Sequence, residues 1–91
     1  MAAYMVTYDL SQPKRDYPRL YQRIKAISGT WAHITESSWV VVSTSKSAVG
    51  IRDDLVQAID SDDSLFVAEM TGAAAWTGLP DERTEWLKAN L

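Results

Sequence analysis

The spacing of hydrophobic residues along this chain changes repeatedly between the period of a strand and the period of a helix. Four segments are rich in branched and aromatic residues, as strands are, and two carry apolar residues at helical spacing. In chain order they are a strand at 3–9, a helix at 16–28, strands at 30–35 and 38–44, a helix at 46–59 and a strand at 64–71. The short "ESS" between the second and third strands predicts a hairpin.

This order interleaves two β-α-β units, which predicts an α+β domain of the ferredoxin-like type, βαββαβ. Residues 1–71 form the predicted core, and residues 72–91 form a C-terminal extension of the same domain. In that extension, "GAAAW" predicts an edge strand and "PDERTEWLKANL" predicts a short helix. Since so short a helix is marginal alone, we expect Trp86, Leu87 and Leu91 to dock it.

Both faces of the predicted sheet carry apolar side chains. In the first strand Tyr4 and Val6 alternate with Met5, and in the last strand Leu65 alternates with Phe66. Two helices cover only one face, and a solvated second face would be polar. We therefore expect a homodimer through the helix-free face, with the C-terminal extension helping to cover it.

The composition excludes several classes of protein. The 91 residues suit a single domain, and the absence of cysteine excludes disulfides and thiolate metal sites and favours a cytoplasmic location. The chain lacks the pattern of a signal peptide, and its apolar runs are shorter than the ~18 residues of a membrane span. A net charge of −3 disfavours non-specific nucleic-acid binding unless the basic residues form a local patch.

A carboxylate, Asp9, ends the first predicted strand. One interpretation is a ligand for Mg²⁺ or Mn²⁺, whose remaining positions would accept waters and phosphate oxygens. The other is a turn residue that accepts hydrogen bonds from nearby backbone N–H groups.

A basic stripe follows on the first predicted helix. Arg15, Arg19 and Arg23 recur at every fourth position, and Lys14 extends the stripe into the preceding turn. The stripe is either a ridge that contacts nucleic-acid phosphates or an ordinary solvated helix face.

Other candidate residues have simpler structural interpretations. His33 is either catalytic or a hydrogen-bonded structural histidine, and the second is favoured because no nucleophile stands out beside it. The acidic cluster of Asp60, Asp62 and Asp63 is a cation site or, more simply, a turn. The four tryptophans are expected in the core or an interface rather than stacked on bases.

The opening segment "VTYDLSQPKRDY", followed by a "DDSLFV" last strand, resembles the smaller of the two core CRISPR spacer-acquisition proteins, in the VapD-like superfamily. The resemblance covers roughly residues 4–71 and implies a ferredoxin-like dimer that acts as an adaptor for an integrase subunit. It matches Asp9 to a strand-one aspartate reported to flank a metal in both subunits, Ser11 to the next serine, and Lys14 and Arg15 to a basic pair.

Over its whole length the chain looks more like a group of small uncharacterised bacterial proteins that share the sequence motifs "YDL", "ESSW" and "WLK". Many of these carry the label "SinR family". That label names a helix-turn-helix regulator, and the strand-rich order of this sequence does not fit such a protein.

Two functions from different classes follow from these patterns. The first is a dimeric adaptor that binds a protein or nucleic-acid partner. The second is a metal-dependent endonuclease with Asp9 and Ser11 in its active site, which requires paired Asp9 carboxylates across the dimer and Mg²⁺ or Mn²⁺ as cofactor.

Overall fold

The computed structural model describes residues 2–11 and 17–91, with the side chain of Tyr17 excepted. Within these residues, four strands and three α-helices follow one another in the order that the sequence predicts. The elements are β1 (Ala2–Asp9), α1 (Tyr17–Ile27), β2 (Trp31–Thr35), β3 (Ser38–Ser43), α2 (Ala48–Leu55) with a 3₁₀ turn at Val56–Ala58, β4 (Ser64–Met70) and α3 (Asp81–Asn90).

The four strands form one antiparallel sheet in the order β2-β3-β1-β4. Strand β1 lies inside the sheet, where Val6 is opposite Trp39 of β3 on one side and Val67 of β4 on the other. Helix α1 joins β1 to β2 across β3, and α2 joins β3 to β4 across β1. The predicted α+β class is confirmed.

Helices α1 and α2 cover one face of this sheet. Leu20 and Ile24 of α1 and Ile51 and Leu55 of α2 are fully buried against it. Their spacing of four residues places each pair on one side of its helix, so both helices turn an apolar face to the sheet. Ser47 caps α2, its hydroxyl accepting a hydrogen bond from the backbone N–H of Gly50 at 3.1 Å.

Aromatic side chains in this core keep their polar atoms paired. The buried indole N–H of Trp39 donates to the Tyr8 hydroxyl at 3.1 Å, and that hydroxyl donates to the Glu36 carbonyl at 3.2 Å. The Tyr4 hydroxyl donates to the Lys46 carbonyl at 2.8 Å. These bonds fix the loops at both ends of β3 to the central strand, and they remove the cost of burying unpaired polar groups.

The second face of the sheet is covered by the C-terminal extension of the same chain. Leu87 of α3 is buried there, and Trp86 and Leu91 pack beside it, which confirms the predicted anchors. The Trp86 indole N–H donates to the Thr30 hydroxyl at 2.9 Å and ties α3 to the start of β2. The second face, where the sequence predicts a homodimer contact, is therefore covered at least in part by α3 of the same chain.

The predicted edge strand at "GAAAW" is wrong, because the structure has no strand between Met70 and Asp81. Gly72 takes a φ of 96°, a left-handed conformation that breaks the extended backbone directly after β4. The alanines at 73–75 are exposed and have no branched side chains to hold a pleat. The segment crosses the second face instead, where Trp76 and Leu79 pack against the sheet.

Among the described residues, no helix combines the length and apolarity that crossing a bilayer requires.

We predict that Leu87→Ala will lower the free energy of unfolding by about 2–5 kcal/mol, because it empties a buried site between α3 and the sheet. Urea denaturation followed by tryptophan fluorescence measures this change. The exposed neighbour Lys88 provides the control, and Lys88→Ala should stay within about 0.5 kcal/mol of wild type. Equal effects of the two substitutions would contradict the docking of α3.

Candidate functional site

The end of β1 lies beside the turn that precedes β4. Asp9 is opposite Ser64 in the antiparallel register, and its side chain is exposed. Two residues later, the backbone N–H and the hydroxyl of Ser11 both donate to the same oxygen of Asp63, at 2.8 and 3.0 Å. The predicted catalytic pair Asp9 and Ser11 therefore lies at one end of the sheet, next to the acidic turn.

Asp63 organises this end of the sheet. Its second carboxylate oxygen accepts a hydrogen bond from the backbone N–H of Asp60 at 2.7 Å, so one carboxylate joins the loop after β1 to the turn before β4. This is the turn role that the sequence suggested for the cluster, and short-range bonds from an aspartate to backbone N–H groups are typical of it.

The same turn brings three carboxylates together. Oxygens of Asp60, Asp62 and Asp63 lie within 4.8 Å of one another, close enough for one divalent cation to contact all three. Asp9, the residue predicted to bind metal, is outside this group of described residues. Exposed acidic turns have this geometry without a cation, so the arrangement by itself assigns no cofactor.

The described arginines of the basic stripe point toward α2. The Arg23 side chain donates to the Asp54 carbonyl at 3.1 Å and forms an ion pair with the Asp54 carboxylate. Arg19 donates to the carbonyl of Gln57, in the 3₁₀ turn that follows α2. Carbonyls at a helix C-terminus attract cations, so these two side chains hold α1 and α2 together. Lys14 and Arg15, the other two members of the predicted stripe, lie outside the described residues.

His33 belongs to an aromatic cluster on the helix-covered face. Its ring stacks on Trp39 with centroids 4.0 Å apart, and Tyr21 of α1 meets it edge-on at 5.0 Å. One ring nitrogen lies 3.2 Å from the carbonyl oxygen of Glu36, at the β2–β3 turn. These contacts match the structural interpretation of this histidine.

The sequence reasoning did not single out the region of α2 and β4, where three of the four large exposed apolar side chains of the described residues lie. Val49 of α2 is 57% exposed and Val56 is 48% exposed on the helix-covered side, while Phe66, which pairs with Thr7 and so points to the second face, is 60% exposed. An open groove of about 220 Å³ runs between α2 and β4. We call its lining residues, together with Val56, the edge surface: Ala48, Val49, Arg52, Val56, Leu65, Phe66 and Val67.

The two edges of the sheet differ in protection. Helix α3 lies beside β2 and is held there by the hydrogen bond from Trp86 to Thr30. The pairing of β2 with β3 shifts register between His33 and Thr35. Strand β4 pairs with β1 in an unbroken register, and Glu69 is its only charged residue. Bulges, charges and covering elements are the usual means of keeping an edge strand from pairing with another chain. Strand β4 has one charge and is regular, and no strand within residues 2–11 and 17–91 pairs with its outer edge.

No model of a known protein family matches this sequence. The resemblance to the spacer-acquisition family therefore depends on the motif residues of β1 and β4, and functional assignment depends on the geometry of the acidic turn and the edge surface.

We predict that Asp63→Ala will lower the free energy of unfolding by about 1–2 kcal/mol, since three donors lose their acceptor. Asp62→Ala, on the exposed side of the same turn, should change it by less than about 0.5 kcal/mol. Denaturation in metal-free buffer measures both. If the three carboxylates instead repel one another until a cation binds, Asp63→Ala will stabilise the protein, and this opposite sign would refute the turn role.

Proposed function

We propose that this chain is a cytoplasmic adaptor module of the ferredoxin-like fold, a homodimer that binds protein through its edge surface. The fold assignment is supported by the sheet order β2-β3-β1-β4 and by two crossovers that each span one strand. The resemblance to spacer-acquisition subunits, whose role is that of an adaptor, supports the same function. The absence of cysteine supports the location.

One observation carries this proposal: in the described part of the chain, no strand pairs with the outer edge of β4, and exposed apolar side chains flank that edge on both faces of the sheet. Val49 exposes more than half of its surface at the groove between α2 and β4, and Phe66 exposes more than half of its surface on the second face. Exposed apolar patches of this kind mark interaction sites. An extended segment that adds to a sheet edge gains main-chain hydrogen bonds, and grooves beside the edge select its side chains. The edge surface provides both features.

Several groups with catalytic potential support a binding role, because they make structural contacts instead. Ser11 is bonded to Asp63, and His33 is stacked on Trp39. Arg19 and Arg23 bind carbonyls of the α2 region. A nucleic-acid contact by the basic stripe would depend on Lys14 and Arg15, and it stays a prediction.

Selection from a displayed library of random peptides tests the adaptor proposal directly. We expect wild type to select peptides with alternating apolar residues, since alternate side chains of an added strand face the groove. Synthetic peptides of the selected sequences should bind Val49→Lys and Phe66→Lys at least about tenfold more weakly, because each substitution places a charge beside the edge strand, the first on the helix-covered face and the second on the opposite face.

The matched control is Gln22→Lys, on the exposed side of α1, the helix that packs over β3. This substitution adds a positive charge at a position that the folded chain tolerates. Peptides that bind all three variants equally, or a library that yields no peptide sensitive to Val49 and Phe66, would contradict the adaptor function of this surface.

A second candidate function is a metal-dependent endonuclease, as the aspartate motif predicts. The observation that favours it is the position of Asp9, at the same end of the sheet as the three clustered carboxylates. Mg²⁺ or Mn²⁺ would be the cofactor, held by carboxylate oxygens and positioned to polarise a phosphodiester.

We predict that the purified protein will cleave neither single-stranded RNA nor double-stranded DNA with Mg²⁺ or Mn²⁺, as an adaptor should not. Labelled substrates resolved on denaturing gels measure this. Asp9→Asn serves as the decisive variant, because Asn retains a turn acceptor while removing a metal ligand. Metal-dependent cleavage by wild type that is abolished in Asp9→Asn would establish the endonuclease and overturn the adaptor assignment.

A further inference from the structure

We infer that the edge surface binds a second copy of this chain, with β4 of each protomer paired antiparallel across a two-fold axis. This inference rests on the proposed function and identifies the protein that the edge surface binds as a second copy of the chain. The pairing would join two four-stranded sheets into one of eight strands, with both copies of α2 on the same face.

The sequence of β4 suits pairing with itself. In a symmetric antiparallel pair, the two-fold axis perpendicular to the sheet lies midway between two copies of the same residue. Residues at equal distances on either side of that position are then opposite each other and point to the same face. Centred on Val67, the middle of Ser64–Met70, the axis places Phe66 opposite Ala68 of the other copy. A large side chain then meets a small one. The only charge, Glu69, faces Leu65, so no like charges are opposed.

Helix α2 carries a stripe with the same symmetry. The stripe lies on one side of the helix and its continuation, and it consists of Val49, Arg52, Asp53 and Val56. Successive members are three, one and three residues apart, so the spacing is the same from either end. In an antiparallel pair of such helices, Val49 meets Val56 of the other copy, and Arg52 meets Asp53. Each contact occurs twice, which is the requirement for an isologous interface. A partner with an unrelated surface would not need this internal symmetry.

The two symmetry centres lie together in the structure. Arg52, next to the centre of the helix stripe, lines the same groove as Val67, the centre of the strand. Asp54, on the opposite side of α2, binds Arg23 of α1. The stripe therefore faces outward over the edge of β4, and one two-fold axis serves both the strands and the helices.

This dimer differs from one that shares a metal between two Asp9 carboxylates. Asp9 lies opposite Ser64, at the end of β4. In the pairing centred on Val67, Ser64 faces Met70 of the other copy, which separates the two Ser64 positions by about 20 Å along the strands. The two Asp9 residues would be at opposite ends of the interface.

Charge reversal provides the sharpest test, because the predicted ion pairs cross the axis. Arg52→Asp places an aspartate opposite the partner's Asp53 at both symmetric contacts. Asp53→Arg places an arginine opposite the partner's Arg52 at both contacts. By sedimentation velocity we expect each variant to dimerise at least about tenfold more weakly than wild type. Mixing the two variants should restore the dimer as a heterodimer, because each aspartate then faces an arginine. Restoration also shows that both variants are folded.

Hydrogen exchange locates the interface independently. Raising the protein concentration should slow amide exchange in residues 48–56 and 64–70, while Val49→Lys should abolish this protection and Gln22→Lys should preserve it. A wild-type protein that stays monomeric throughout the micromolar range overturns the inference, and so does a dimer whose protection maps to β2 and α3. If the selected peptides still bind that monomer at the edge surface, the adaptor function stands and only the identity of the partner is wrong.

Discussion

The burial of β1 on both faces is the constraint on which the rest of this structure depends. Its even-numbered residues pack beneath α1 and α2, while Ala3 packs on the opposite face against the cluster that contains Leu87. A strand with two apolar faces needs two covering layers, and among the described helices α3 is the one that packs on the second face. The position of α3 follows from that need, and so does the incomplete cover near β4.

Most of the fold could be predicted because it follows from local patterns. The periodicity of apolar residues predicts the four strands of the sheet and the two helices between them. The error at 72–76 arose because an alanine-rich segment carries little strand information of its own. Its path is decided by Gly72, whose positive φ turns the chain out of the sheet, and by the tertiary packing of Trp76. Neither effect has a periodic signature.

The candidate site was less predictable, because it depends on which side chains meet. The arginine spacing was read as one exposed face, yet Arg23 reaches Asp54 on another helix, a contact that no local pattern specifies. The bonds from Ser11 to Asp63 likewise join residues far apart in the sequence. The edge surface had a weak signal in "SLFVAEM", a strand with one charge, but only the sheet order makes β4 an edge.

The uneven cover of the sheet connects fold and function. Helix α3 is fixed to the β2 side of the sheet through Trp86, whereas the outer edge of β4 pairs with no strand that the structure describes. An open, regular strand with an exposed Phe66 is a liability for a protein that stays alone, because any extended chain can pair with it. Occupation of that edge by a defined partner removes the liability. On this surface, residues at equal distances on either side of one central position are complementary to each other. Such a surface favours a copy of itself as the partner, since two-fold symmetry makes every favourable contact occur twice.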